Sequence, residues 1–174
     1  MIATSLSLSA FTASVDQFVS SKADDQHMIS AEEKALQVER EANATAINAY
    51  FSKNNMPLAG YGMKMVLEAE KNDLDWRLIP AIAIRESTGG VFACKSKKAP
   101  FNPFGWNSCK SGFKSYDNAI ESVAEHLGGN NARTARYYDN KTVKAILQTY
   151  NPPSVIPNYA GEVIALMNKI GVDN

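Results

Sequence analysis

The chain of 174 residues is long enough for one domain with a sizeable core, and 45% hydrophobic against 21% charged residues reads as a folded globular protein. Lys plus Arg equals Asp plus Glu, 18 each, so the formal net charge is zero. That balance argues against nucleic acid as the main partner, since phosphate binding draws on a basic surplus, and no run reaches the roughly 18 apolar residues that span a membrane.

Met1 to Val15 has no Asp, Glu, Lys or Arg and is rich in Ala, Ser, Thr, Leu and Ile. It has the apolar and small-residue parts of a secretory leader without the basic residue that precedes them. The alternative is an N-terminus without order. Residues to about Gln26 show no helical period and are expected to be poorly ordered, which sets residues 1–28 apart from the rest. Ser30-Ala31-Glu32-Glu33 fits a capping box, in which the Ser hydroxyl accepts from the amide three residues on and the Glu reaches back. The expected helix runs to about Ser52 within a segment at 29–56. Its first half is highly charged, and apolar residues gather only at Ile47, Tyr50 and Phe51. The pattern predicts a solvated arm whose second half docks on a domain at 57–174.

From Leu58 onward the pattern is compact and helical. Met63, Val66 and Leu67 mark one short helix. Asp75 is a candidate N-cap for the next, which Leu78, Ile79, Ile82 and Ala83 line, with Glu86 one turn beyond Ile82. Pro80 is tolerated only near a helix start, and Gly89-Gly90 ends the helix. Residues 91–114 carry Gly, Pro, Asn, Ser and both cysteines, a loop or a loop with a short hairpin. Ser115 or Asp117 opens a helix through Ala119, Ile120, Val123, Ala124 and Leu127. Thr142 caps another through Val143, Ile146, Leu147 and Tyr150, which Pro152-Pro153 stops. A last one carries Tyr159, Val163, Leu166, Met167 and Ile170, closed by Gly171. The expected fold class is mainly α.

Cys94 and Cys109 are the two cysteines, and the only histidines, His27 and His126, lie far from them in sequence. A zinc site needs more ligands, so no metal and no cofactor are expected. A disulfide closing this short loop is the preferred reading, adding roughly 3 kcal/mol for a loop of about 15 residues. Two unrelated cytosolic thiols are the alternative. Disulfide and leader support each other and place the chain outside the cytoplasm. Lys95, Lys97, Lys98, Lys110 and Lys114 form either a local basic patch or a solvated loop.

One carboxylate stands out. Glu86 ends the most apolar helix, in Ala81-Ile82-Ala83-Ile84-Arg85-Glu86-Ser87. A carboxyl held against apolar neighbours is harder to ionise, and a raised pKa lets it donate a proton near neutral pH. The bland alternative is a surface Glu paired with Arg85 or a lysine. Phe101-Asn102-Pro103-Phe104-Gly105-Trp106-Asn107 lies between the cysteines. Its aromatics would stack on sugar rings and its amides would bond hydroxyl or N-acetyl groups, or Phe104 and Trp106 form a small loop core. Tyr150-Asn151 before Pro152-Pro153 would set a hydroxyl in a cleft, or Tyr150 is a core residue.

Together these residues resemble a family. Ala81 to Ser87 resembles the stretch of lytic transglycosylases and goose-type lysozymes that ends in Glu-Ser and carries the catalytic Glu. Asn102-Pro103-Phe104-Gly105-Trp106 is similar to the Asn-x-Phe-Gly segment of bacterial glucosaminidase domains, and Tyr150-Asn151 to the Tyr-Asn pair of the transglycosylases' third motif. The resemblance covers about Leu58 to Gly171. It departs from the transglycosylases in having Phe104-Gly105-Trp106 where they carry Gly-Leu-Met-Gln, and Pro152-Pro153 after Tyr150-Asn151. It implies a lysozyme-like helical domain with the cysteine-framed loop beside the cleft. It implies a peptidoglycan glycosidase, secreted, periplasmic or at the bacterial cell surface, with Glu86 as general acid and later base. Tyr150 would orient Glu86 or the substrate's N-acetyl group. Ser87 would support the Glu86 carboxyl or touch substrate. Asn102, Phe104, Gly105, Trp106 and Asn151 would line the sugar cleft.

Glycosidases normally use two carboxylates. Asp73, Asp75, Asp117 and Glu121 are the candidates for a second, and each also reads as a cap or surface charge. A single acid is therefore expected, ending in hydrolysis or in an anhydro product. Two other classes stay open: a non-catalytic glycan-binding module of the same fold, and a helical interaction protein that recruits a partner through its N-terminal helix.

Overall fold

The computed structural model describes residues 9–94 and 97–171, with side chains from Ser30 onward. The first eight residues of the leader-like stretch and Lys95 lie outside the described residues. Among the described residues seven α-helices follow in order: α1 Ser9–Lys53, α2 Gly62–Lys71, α3 Leu78–Ser87, α4 Tyr116–Leu127, α5 Ala135–Tyr138, α6 Val143–Tyr150 and α7 Tyr159–Lys169. A short 3-10 turn, Trp106–Cys109, sits between α3 and α4. The mainly α class is thereby met, with no strand among the described residues. The described part of the loop between the cysteines carries no hairpin.

The chain divides into two units, to Glu39 and from Arg40 onward. The helix of the first unit begins at Ser9, about twenty residues before the capping box at Ser30. Ser30 is therefore interior to α1, and residues 9–26 of the segment expected to be poorly ordered are described as helix. The capping-box pattern misled because Ser and Glu are also tolerated inside a solvated helix. Residues 31–39 are exposed throughout, as a highly charged face requires. The compact unit starts at Arg40, before the expected boundary at 57, because Ala44, Ala46, Ile47 and Phe51 are buried in its core.

Helix α3 is the spine of that unit. Leu78, Ile79, Ala81, Ile82 and Ala83 are fully buried, and the helix packs along α7 and meets α2 and α4. Pro80 stands in the first turn, where its missing N–H has no helical partner to lose. Asp75 lies outside α3 but still helps to start it: its Oδ1 accepts from the Arg77 amide at 2.9 Å and its carbonyl from Leu78 N. Thr88 is left-handed, and Gly89 N donates to Ala83 O, which stops the helix right after Ser87. Ser115 and Thr142 cap α4 and α6 as their sequences predict, accepting from Asn118 N and Ala145 N. Gly62 is set by packing: a Cβ there would sit 2.3 Å from Ala44 O, so α1 and α2 cross closely only without one.

Candidate active site

The loop after α3 is built first. Cys94 and Cys109 form a disulfide, which settles the choice against two free thiols. Inside it Asn102 is fully buried. Its Nδ2 donates to the carbonyls of Trp106 and Ser111, both at 2.9 Å, and its Oδ1 accepts from Trp106 N at 3.0 Å. The loop core thus uses a side-chain amide in place of a strand pair. Asn102 was expected to line the sugar cleft; buried and fully committed to the backbone, it shapes the loop instead. Ser87 is likewise buried. Its hydroxyl donates to Pro103 O at 2.7 Å and accepts from Gly90 N at 2.9 Å, so it fastens the helix end to the loop and touches neither the Glu86 carboxyl nor the cleft.

These fastenings hold the loop over Glu86. A cleft of about 720 Å³, within the usual range for ligand sites, opens there. Glu86, Phe104, Gly105, Trp106, Tyr150 and Asn151 all line it, so six of the eight expected site residues meet on one cavity. The Phe104 ring is fully buried in the core, and its carbonyl accepts from the Tyr150 hydroxyl. Trp106 is half-buried and stands 5.7 Å from the Tyr150 ring and 4.8 Å from His126, between centroids. Asn151 Oδ1 is shielded from solvent and has no hydrogen-bond partner among the described residues.

Glu86 is half-buried, and it is the one carboxylate on the cleft lining among the described residues. Burial raises its pKa, against the opposing pull of the Tyr159 hydroxyl and of Arg85. Arg85 pairs with Glu162 at 2.5 Å, so the plain surface pairing of Glu86 with its neighbour is not made. The other acids considered as a second carboxylate are placed elsewhere. Asp75 pairs with Arg77, Glu121 lies 3.8 Å from Lys71, and neither Asp73 nor Asp117 lines the cleft.

Tyr159 is the residue that sequence reasoning missed. Its hydroxyl donates to Glu86 Oε1 at 2.6 Å, the orienting contact that had been expected of Tyr150. Helical period correctly puts its ring in the core, at 1% exposure. The signal lay in its polar tip, because a buried Tyr needs a partner for its O–H. Tyr150 instead locks the loop through Phe104 and stacks on Tyr159 at 6.0 Å. Burial, with Glu86 nearby, raises the pKa of both tyrosines, so each remains a hydrogen-bond donor. Tyr159→Phe removes a donor that favours ionised Glu86. The Glu86 pKa should rise, read as the midpoint of its carboxyl carbon shift in an NMR titration. A midpoint that stays or moves down would refute the contact.

Gly105 explains how the wall approaches the acid. It is left-handed (φ +61°), and a Cβ there would lie 2.9 Å from Glu86 Oε2. One carboxyl oxygen is therefore held by Tyr159 and the other faces a bare backbone. His126 on α4, Arg133 and Thr134 before α5 and Tyr138 within α5 complete the lining, and α5 has no sequence signal of its own. His126 Nδ1 lies 2.6 Å from Thr134 Oγ1, and burial lowers its pKa. No group of three or more His, Cys, Asp or Glu among the described residues is arranged to hold a metal. No described helix is long and apolar enough to cross a membrane. No family model and no curated protein matches the chain.

Proposed function

We propose that the protein is a lysozyme-like glycosidase that cleaves the β-1,4 bond between N-acetylated sugars of peptidoglycan. The observation that supports this best is a lone carboxyl, Glu86, with a burial-raised pKa and a Tyr159 anchor, at the floor of a cleft walled by Trp106. Such a carboxyl keeps its proton to higher pH than an exposed one and can donate it. In the first step Glu86 gives its proton to the glycosidic oxygen as the bond from that oxygen to the anomeric carbon breaks. With no second carboxylate on the described lining, the substrate's own N-acetyl oxygen closes on the anomeric carbon and takes up the developing charge. Ionised Glu86 then removes a proton from the incoming nucleophile, whose oxygen bonds the anomeric carbon as the bond to the N-acetyl oxygen breaks. With water the product is a reducing sugar; with the sugar's 6-hydroxyl it is an anhydro sugar. The disulfide supports a place outside the cytoplasm, where this substrate is found.

The test is direct. A suspension of purified peptidoglycan incubated with the full chain should clear and release soluble fragments. A suspension that stays turbid, with or without protein bound to it, would overturn the reading; binding without clearing is the result expected of a glycan-binding module.

A further inference from the structure

The cleft that holds Glu86 carries one cation among its described lining residues, and nothing in the proposed chemistry uses it. Arg133 lines the same cavity, on the segment leading into α5, and is exposed. It makes no ion pair among the described residues, whereas Arg40, Arg77 and Arg85 are each held by a carboxylate. Its own backbone amide is bonded to Asn131 Oδ1, and the next residue, Thr134, contacts His126, which faces Trp106. The backbone that carries the side chain is thus tied down, and the exposed residue shares its cavity with Glu86.

A guanidinium presents a planar fork of donors that matches a carboxylate in two parallel hydrogen bonds. We propose that Arg133 is a specificity residue that binds a carboxylate carried on the 3-O-lactyl substituent of the glycan. This rests on the reading of the cleft as a glycan site and names the substrate class within it: an acidic muramyl glycan, preferred over a neutral N-acetylglucosamine chain. The carboxylate has two sources, the free lactyl acid of a strand without peptide or the acids of a short peptide stem. Arg133 makes no contact with Glu86, so its effect falls on binding and KM and leaves proton transfer alone.

Binding is measured with full-length Glu86→Gln, which separates recognition from turnover. The probes are a muramic-acid-containing tetrasaccharide as free acid, the same compound as methyl ester, its L-Ala–D-Glu conjugate with and without esterification, and an N-acetylglucosamine tetramer. A charge-assisted bidentate pair predicts that one acid binds about tenfold or more tightly than its ester. Adding Arg133→Gln should erase that preference, Arg133→Lys should keep part of it, and binding of the neutral tetramer should not change. A preference confined to the free lactyl acid or to the dipeptide identifies the source, and either supports the proposal. Equal binding of each acid and its ester, or a preference that survives Arg133→Gln, overturns it. Failure of the wild type to clear peptidoglycan would refute the enzyme and leave this binding result readable by itself.

Discussion

Glu86→Gln should lower glycan cleavage by about 10²- to 10⁴-fold, the share that a positioned proton donor supplies, while the chain stays folded. The amide has the same shape as the acid. Its oxygen still accepts from Tyr159, but it has no proton to give to a leaving oxygen. Stability supplies the control. Burial raises the Glu86 pKa in the folded state, so the folded chain binds this proton to higher pH than the unfolded chain does. Wild-type stability therefore falls as pH rises from the ordinary Glu range to the raised value, and the Gln variant escapes that loss. At neutral pH its melting temperature should equal or exceed that of the wild type. Retained cleavage would remove Glu86 from the chemistry; lost cleavage together with a lower melting temperature would point to damage to the fold.

Gly105→Ala should be nearly as harmful to activity, at a modest cost to the fold. A left-handed Ala costs about 1 kcal/mol relative to Gly. The larger effect comes from the new methyl, 2.9 Å from Glu86 Oε2. Either the carboxyl swings away from its Tyr159 contact or the loop lifts, and the loop resists because Asn102, Ser87, Tyr150 and the disulfide all fasten it. A misplacement of about 1 Å at a reacting group costs on the order of 10²-fold in rate. The expected result is a loss of that size in kcat, with a melting temperature only a few degrees lower. Unchanged kcat would mean that Oε2 has room that the geometry denies it.

Much of the compact unit is legible in the sequence because its signals are local. Ser115 and Thr142 announce their helices through caps. Pro80 is confined to a first turn, and the apolar run from Leu78 to Ala83 can only be buried. Glu86 was legible for the same reason, as a charge at the end of that run. What escaped depends on irregular loop paths and on contacts distant in the chain. Ser87 and Asn102 look like substrate-binding polar groups, yet each finds its partners in the backbone of a loop whose path no helical period specifies. Tyr150 and Tyr159 exchange the role expected of one of them. Both are aromatic residues at helix ends beside a Pro-rich segment, and only the packing of α7 along α3 brings the second hydroxyl to Glu86. The start of α1 at Ser9 was missed because its sequence lacks the apolar stripe that reveals a packed helix.

If Glu86 breaks a glycosidic bond, mass spectrometry of the fragments released from purified peptidoglycan will find newly formed sugar ends, either reducing or anhydro, and intact peptide stems. Fragments cut within the peptides, with glycan strands left whole, would contradict it.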